Sequence, residues 1–381
     1  MTSESVIERP QDGKNLSLSI DARIQEKMYE EIYKLAHRVG FQGGAGVIMN
    51  IHDGTLLAAT SYPEYSSAVM SKGEDTKQIS SLLSDKQNPF LNRVTLGLYT
   101  PGSIVKPFVA MGALAEGIIS PSKQILSTGS ISLPNPFFPG KFSVFRDWKA
   151  HGWVDMRKAL AVSSDVYFYA VGGGFEDQQG LGISNIEKYM RIFGFGKSTG
   201  IDIGNEAVGT IPNPEWKKEN FDGDIWRIGD TYNTSIGQYG FQVTPIQAVK
   251  ATASLANEGM LIEPSIILDR QNIQKGEVLP FENNSWFKII NEGMRQTVLE
   301  GTARGLNIAG LEVAGKTGTA ELGALKQFVN SWVIGFFPYK DPQYAFVIMM
   351  EKGPHDNLIG ATYVGNQVLN WMVAHTPEYT K

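Results

Sequence analysis

The chain has no cysteine among its 381 residues, which excludes disulfides, thiol nucleophiles and thiolate metal ligands. Absence of cysteine is compatible with an extracytoplasmic location without demanding one. Histidine is scarce as well, with five in all and no metal-ligand spacing among them. No apolar run reaches the roughly 20 residues that cross a bilayer. The polar opening Met1-Thr2-Ser3-Glu4-Ser5 does not read as a secretory leader. Charge is limited too: charged residues make up 19% and the net charge is −5, so nothing points to nucleic acid as a partner. Apolar residues are plentiful, at 42% of the chain, enough for a substantial core. There are no internal repeats and no long low-complexity linker, and one compact domain is expected.

Ser103-Ile104-Val105-Lys106 follows Pro101-Gly102. Proline and glycine mark a stop and a turn, and the apolar stretch from Ile104 to Ala115 reads as a buried helix with Ser103 at its first turn. Three-residue spacing places a hydroxyl and an amine on one helix face. Serine is a poor nucleophile until its proton is taken, which a partly desolvated lysine can do. The free N–H groups and positive dipole end of the helix favour negative charge beside the serine. The pattern is loose, however, and recurs at Ser120-Pro121-Ser122-Lys123, a polar turn after Gly117 that reads as a loop or helix cap.

Two further motifs stand downstream. Ser163-Ser164-Asp165 follows an approach helix over 154–162 and precedes the run Val166-Tyr167-Phe168-Tyr169. A helix N-cap explains such a segment equally well, and Ser19-Ile20-Asp21 fits the same pattern as a cap for a helix from Ala22 to Ala36. Lys316-Thr317-Gly318-Thr319 occurs once, behind the alternation Leu311, Val313, Gly315, which is strand periodicity. Glycine in a strand admits a second backbone close by. A ligand along that edge would meet a fixed cation and two hydroxyls, while the simpler reading is an edge strand blunted by lysine.

Gly46–Asn50 and 56–60 flank His52-Asp53-Gly54-Thr55 and predict a hairpin. Ser331–Phe337 and Tyr344–Met350 predict two more strands, and 360–374 a closing helix. Residues from about 96 to 300 read as mainly helical. Glu64–Gln87 is polar and aperiodic, consistent with mobile chain or short helices. The stretch 134–140, with three prolines, is expected to be an irregular surface loop. Trp148, Trp153 and Tyr169 are either cleft residues or packing.

The three motifs in this order are the signature of penicillin-recognising acyl-serine enzymes. The chain resembles the class B penicillin-binding proteins of the cell-elongation type from about Asn15 to its C-terminus. Matching segments include Leu16–Gln25, Asn88–Arg93, Arg146-Asp147-Trp148, Trp216-Lys217, Gly229–Gln238 and Val243–Gln247. The resemblance implies an α/β (α+β) fold: a five-stranded antiparallel sheet covered by helices, plus an all-helical subdomain, with the site between them. Residues 1–14 would be a tail or linker and 15–381 the transpeptidase domain. Its sheet part would span about 15–95 and 301–381, and its helical part about 96–300. The family carries an N-terminal membrane anchor and pedestal, so the chain is expected to be a soluble fragment of a protein working on the periplasmic face of the bacterial inner membrane.

The resemblance implies a peptidoglycan D,D-transpeptidase, with no cofactor. Ser103 would be the nucleophile, Lys106 its base and Ser163 a proton relay. Backbone N–H groups of Ser103 and Thr319 would form the oxyanion hole. Lys316, Thr317 and Thr319 would hold the terminal carboxylate, with Gly318 among the substrate-binding residues. Asp165 stands where many relatives have asparagine, and an ionised aspartate there would favour a protonated Lys106. Another departure is Gly237-Gln238-Tyr239-Gly240, where relatives tend to have glycine directly after the glutamine. In some relatives Asp147 and His151 belong to a metal site; its thiol ligand cannot exist here, and no metal is expected. Implied partners are stem peptides, β-lactams, a membrane glycosyltransferase and elongation-complex proteins. A D-alanine carboxypeptidase is the nearest alternative, with a β-lactamase or a non-catalytic β-lactam sensor more distant.

Overall fold

A computed structural model describes residues 12–13, 15–135, 137–268, 276–323, 325–357 and 359–381. Most of the expected tail (residues 1–11 and 14) lies outside the described residues, as does Pro136.

The chain opens with helix α1 (Ala22–Val39). Asp21 caps it by accepting from the Arg23 N–H, and Gly40 ends it in the left-handed conformation. Ser19 plays no part in the cap, because its hydroxyl donates to the carbonyl of Leu56 at 2.7 Å. Strands β1 (Gly43–Asn50) and β2 (Leu56–Tyr62) form the expected hairpin. The polar stretch that follows folds into two short helices, α2 (Ser67–Lys72) and α3 (Thr76–Ser84), each with its own side-chain N-cap.

The middle of the chain begins with a 3₁₀ turn (Gly102–Val105) that runs into α4 (Lys106–Ala115). After it come β3 (Ile125–Ser127), β4 (Ser130–Pro134), β5 (Phe142–Arg146) and β6 (Gly152–Val154). Helices α5 (Met156–Val162), α6 (Asp165–Gly173), α7 (Ile183–Ile192), α8 (Pro214–Asn220), α9 (Ile228–Ser235) and α10 (Pro245–Ala256) follow. Strands β7 (Met260–Ile262) and β8 (Gly276–Val278) precede α11 (Ser285–Leu299). The region read as helical therefore also contains three two-stranded ribbons: β3 with β6, β4 with β5, and β7 with β8. The loop expected over 134–140 is narrower than predicted, since Pro134 still pairs with Phe142 at the loop end of a two-stranded ribbon, where both strands are edges and proline is tolerated.

The C-terminal part supplies β9 (Ala314–Leu322), β10 (Phe328–Phe337), β11 (Tyr344–Pro354) and α12 (Ala361–His375). These strands join the N-terminal hairpin in an antiparallel sheet ordered β2-β1-β11-β10-β9. The sheet is buried on both faces, and alternate residues serve different cores. Val47, Met49, Trp332, Ile334 and Val347 pack towards α4 and α10. Ile48, Val333, Phe346 and Ile348 pack with residues of α1 and α12. Strand β9 is left at an edge, with the turn that holds Ser103 packed against it.

Candidate active site

A cleft of about 1130 Å³ opens where β9 meets that turn. Ser103, Ser163, Asp165, Thr317, Gly318 and Thr319 line it. Lys106 and Lys316 lie beneath its floor, both fully buried. All eight residues singled out from the sequence therefore converge on one place. Ser120 and Lys123 remain in an exposed turn outside it.

Ser103 sits in a turn without slack. Gly102, at φ 57°, would put an added Cβ 2.5 Å from the Thr319 carbonyl oxygen. A Cβ on Gly318 would meet the Pro101 carbonyl at 2.7 Å. Glycine at both positions lets the two backbones touch, which brings the peptide before Ser103 against Thr319. The register of β9 on β10, Thr319 opposite Ser331 and Gly318 opposite Trp332, fixes which residues face the turn. Trp332, fully buried, donates its indole N–H to the Thr100 carbonyl at 3.0 Å.

The second motif reaches in from the α5–α6 junction. Ser163 ends α5 at φ 57°, a left-handed conformation seldom adopted outside glycine. This twist turns its hydroxyl between the two amines, 2.8 Å from Lys316 Nζ and 3.3 Å from Lys106 Nζ. Lys106 also donates to the Ser163 carbonyl at 2.8 Å and to Asp165 Oδ1 at 2.6 Å. Lys316 completes its contacts on the Thr317 carbonyl at 2.9 Å.

Burial sets the charges here. It holds the Lys316 amine well below the ordinary lysine value, helped by the nearby Lys106 and opposed by Asp165. Burial also raises the Asp165 carboxyl above its usual range, against the lowering pull of Lys106. Asp165 keeps 19% of its side chain exposed, but only into the cleft, so burial still dominates.

Two residues were given no role in the chemistry from the sequence. Thr302, just beyond α11, lines the cleft and places its hydroxyl 2.6 Å from that of Thr317. Asp147 organises the second motif from behind. Its Oδ2 accepts from the Ser164 hydroxyl (2.8 Å), the Val166 N–H (3.0 Å) and the Ser127 hydroxyl (3.3 Å). Its Oδ1 accepts from the Trp148 N–H, and His151 Nε2 lies 3.4 Å away. With the carboxylate taken up by hydroxyl and amide donors, and no cluster of three His, Asp or Glu among the described residues, this donor set does not suit a metal ion. Trp148 and Tyr169 line the cleft, whereas Trp153 is exposed on β6 outside the lining.

The family described as "Penicillin binding protein transpeptidase domain" matches residues 44–370. The chain belongs to this family of transpeptidase domains. It is 33% identical over 370 residues to the peptidoglycan D,D-transpeptidase MrdA of Acinetobacter baumannii, covering 91% of this chain and 52% of that protein. The chain thus spans about half the length of the curated relatives it matches. Among solved structures it is similar to Pseudomonas aeruginosa PBP2 in complex with WCK 5153 (TM-score 0.84, 31% identity, 98% of this chain and 78% of that one). It is also similar to the penicillin-binding protein PBP2 of Helicobacter pylori in complex with MreC (TM-score 0.80, 32% identity, 94% and 64%).

Proposed function

We propose that the cleft is the active site of a peptidoglycan D,D-transpeptidase, with residues 15–381 as its catalytic domain. The observation behind this reading is the convergence of two buried amines on the Ser163 hydroxyl, beside a cleft that Ser103 also lines.

Ser103 Oγ attacks the carbonyl of the penultimate D-alanine of a stem peptide. Its proton passes to Lys106, which must first have released its own; the raised Asp165 carboxyl is a receiver within 2.6 Å. Backbone N–H groups of Ser103 and Thr319 stabilise the oxyanion. Lys316, Thr317 and Thr319 hold the terminal carboxylate, whose arrival favours the charged form of Lys316. Ser163 then passes a proton to the departing amine of D-alanine. The acyl-enzyme C–O bond breaks when the amine of a second stem peptide attacks, which restores the serine hydroxyl and leaves a cross-link. A β-lactam follows the same route to the acyl stage and remains, because its opened ring blocks the acceptor. No step requires a cofactor.

The domain would act on the periplasmic side of the bacterial inner membrane, since its substrate is cell wall; among the described residues no helix is long and apolar enough to cross a membrane. A membrane glycosyltransferase and elongation-complex proteins are the proposed partners, in line with the MreC complex of the Helicobacter pylori relative.

Intact-mass spectrometry after β-lactam addition tests the reading. An adduct that persists for hours is expected. Rapid return to the unmodified mass would indicate a β-lactamase instead, and no adduct at all would remove the acyl-serine chemistry. With a donor stem peptide and an amine acceptor, cross-linked product is expected; release of D-alanine alone would indicate a carboxypeptidase.

A further inference from the structure

The residue after Gln238 is a tyrosine, in a backbone conformation made for glycine. Tyr239 has φ 62°, in the left-handed region where a β-carbon crowds the following carbonyl. Something must hold it there, and the structure supplies a cage. The Tyr239 ring stacks on Phe221 (centroids 5.8 Å apart, planes 11°). Trp216 and Trp226 meet it edge-on at 5.7 and 5.8 Å. Lys217 Nζ lies 5.8 Å from the ring centroid, and buried Lys217 is itself held by Asp230 at 2.6 Å and Asp224 at 3.1 Å. The next residue, Gly240, has no room for a side chain, since a Cβ would fall 2.3 Å from the Trp216 ring.

The cage lies outside the cleft lining, so it does not touch a ligand there. Its connection to Ser103 is through backbone. Gly237, two residues before Tyr239, accepts from the Gly102 N–H at 2.9 Å. A Cβ on Gly237 would sit 2.2 Å from the Gly102 carbonyl oxygen. On its other side Gly102 is pressed against Thr319. The peptide before Ser103 is therefore gripped between the 237–240 turn and β9, and Gln238 of that turn faces the cleft.

We propose that Tyr239 is a positioning residue for acylation: its caged ring clamps the Gly237-Gln238 turn onto Gly102 and so fixes where Ser103 points. The proposal rests on Ser103 being the nucleophile. Tyr239→Gly is the informative variant, because glycine keeps the backbone conformation allowed while the ring is lost. Tyr239→Phe keeps the ring, and Trp226→Leu opens the cage from its outer wall.

Two quantities separate positioning from general stability: saturation kinetics of β-lactam acylation, giving an acylation constant and a non-covalent dissociation constant, and hydrogen exchange of the amides over 99–106. Tyr239→Gly is expected to lower the acylation constant about tenfold or more, since small misplacement of a reacting group is costly. Its dissociation constant should stay within about twofold, and exchange over 99–106 should quicken. Tyr239→Phe should restore both, and Trp226→Leu should shift both in the same direction by less. Wild-type acylation and wild-type exchange in Tyr239→Gly would overturn the clamp, as would a weaker dissociation constant with an unchanged acylation constant. If Tyr239→Gly does not fold, Trp226→Leu decides on the same two outcomes. Failure of the wild type to label would remove Ser103 as nucleophile, while the exchange comparison would still judge the clamp.

Discussion

Ser103–Lys106 and Ser120–Lys123 have the same spacing and the same local turn. In each, the lysine N–H donates to the serine carbonyl three residues earlier. Their surroundings differ. Ser103 is wedged between β9 and the 237–240 turn, and Lys106 is fully buried with three oxygen acceptors. Ser120 and Lys123 are exposed, and the Ser120 hydroxyl meets that of Ser122 at 3.1 Å. Chemistry thus resides in what encloses the pattern: burial and oxygen acceptors that hold the amine in place, and neighbours that aim a hydroxyl.

The largest separation is expected at the serines. Ser103→Ala should abolish covalent labelling by a fluorescent penicillin, while Ser120→Ala labels like wild type; labelling that survives in Ser103→Ala would contradict the assignment. At the lysines, Lys106→Ala should slow acylation roughly 100-fold or more, and Lys123→Ala by less than about twofold, as read by stopped-flow or gel-based labelling. The preceding glycines extend the comparison to stability. Gly102 and Gly117 both have positive φ, 57° and 63°, but only Gly102 has a backbone oxygen in the path of a Cβ. Urea denaturation should show Gly102→Ala losing on the order of 2–4 kcal/mol, and Gly117→Ala about 1 kcal/mol from backbone strain alone. Equal losses would mean the wedge is not tight.

A subtler effect concerns Lys316. Burial lowers its proton affinity, and a ligand carboxylate beside it must raise that affinity again. Binding of a β-lactam to Ser103→Ala at about pH 9, below the ordinary lysine value, should therefore take up protons. Calorimetry in two buffers of different ionisation enthalpy reads the uptake; it should vanish in Lys316→Ala. Proton release would place the carboxylate elsewhere.

How far the sequence went follows from the range of the interactions involved. The hairpin of β1 and β2, the strands β10 and β11 and helix α1 were legible because period-two and period-3.6 patterns and the Asp21 cap are local. The three motifs were legible because their residue types and order are distinctive. The start of β9 was not. Leu311 and Val313 continue the alternation, yet pairing with β10 begins only at Ala314, and Leu311 instead closes a bridge with Ile308. The short ribbons within 125–154 were missed since strands of three to five residues carry too little periodicity. Thr302, the Asp147 hub and the Tyr239 cage depend on contacts between distant segments, which no local spacing announces.

The central claim is that enclosure makes Ser103, and not its duplicate, the acylated residue. Tandem mass spectrometry of a protease digest after β-lactam treatment tests it most directly. The adduct should map to Ser103 alone; an adduct on Ser120, or on any other residue with Ser103 unmodified, would contradict the account.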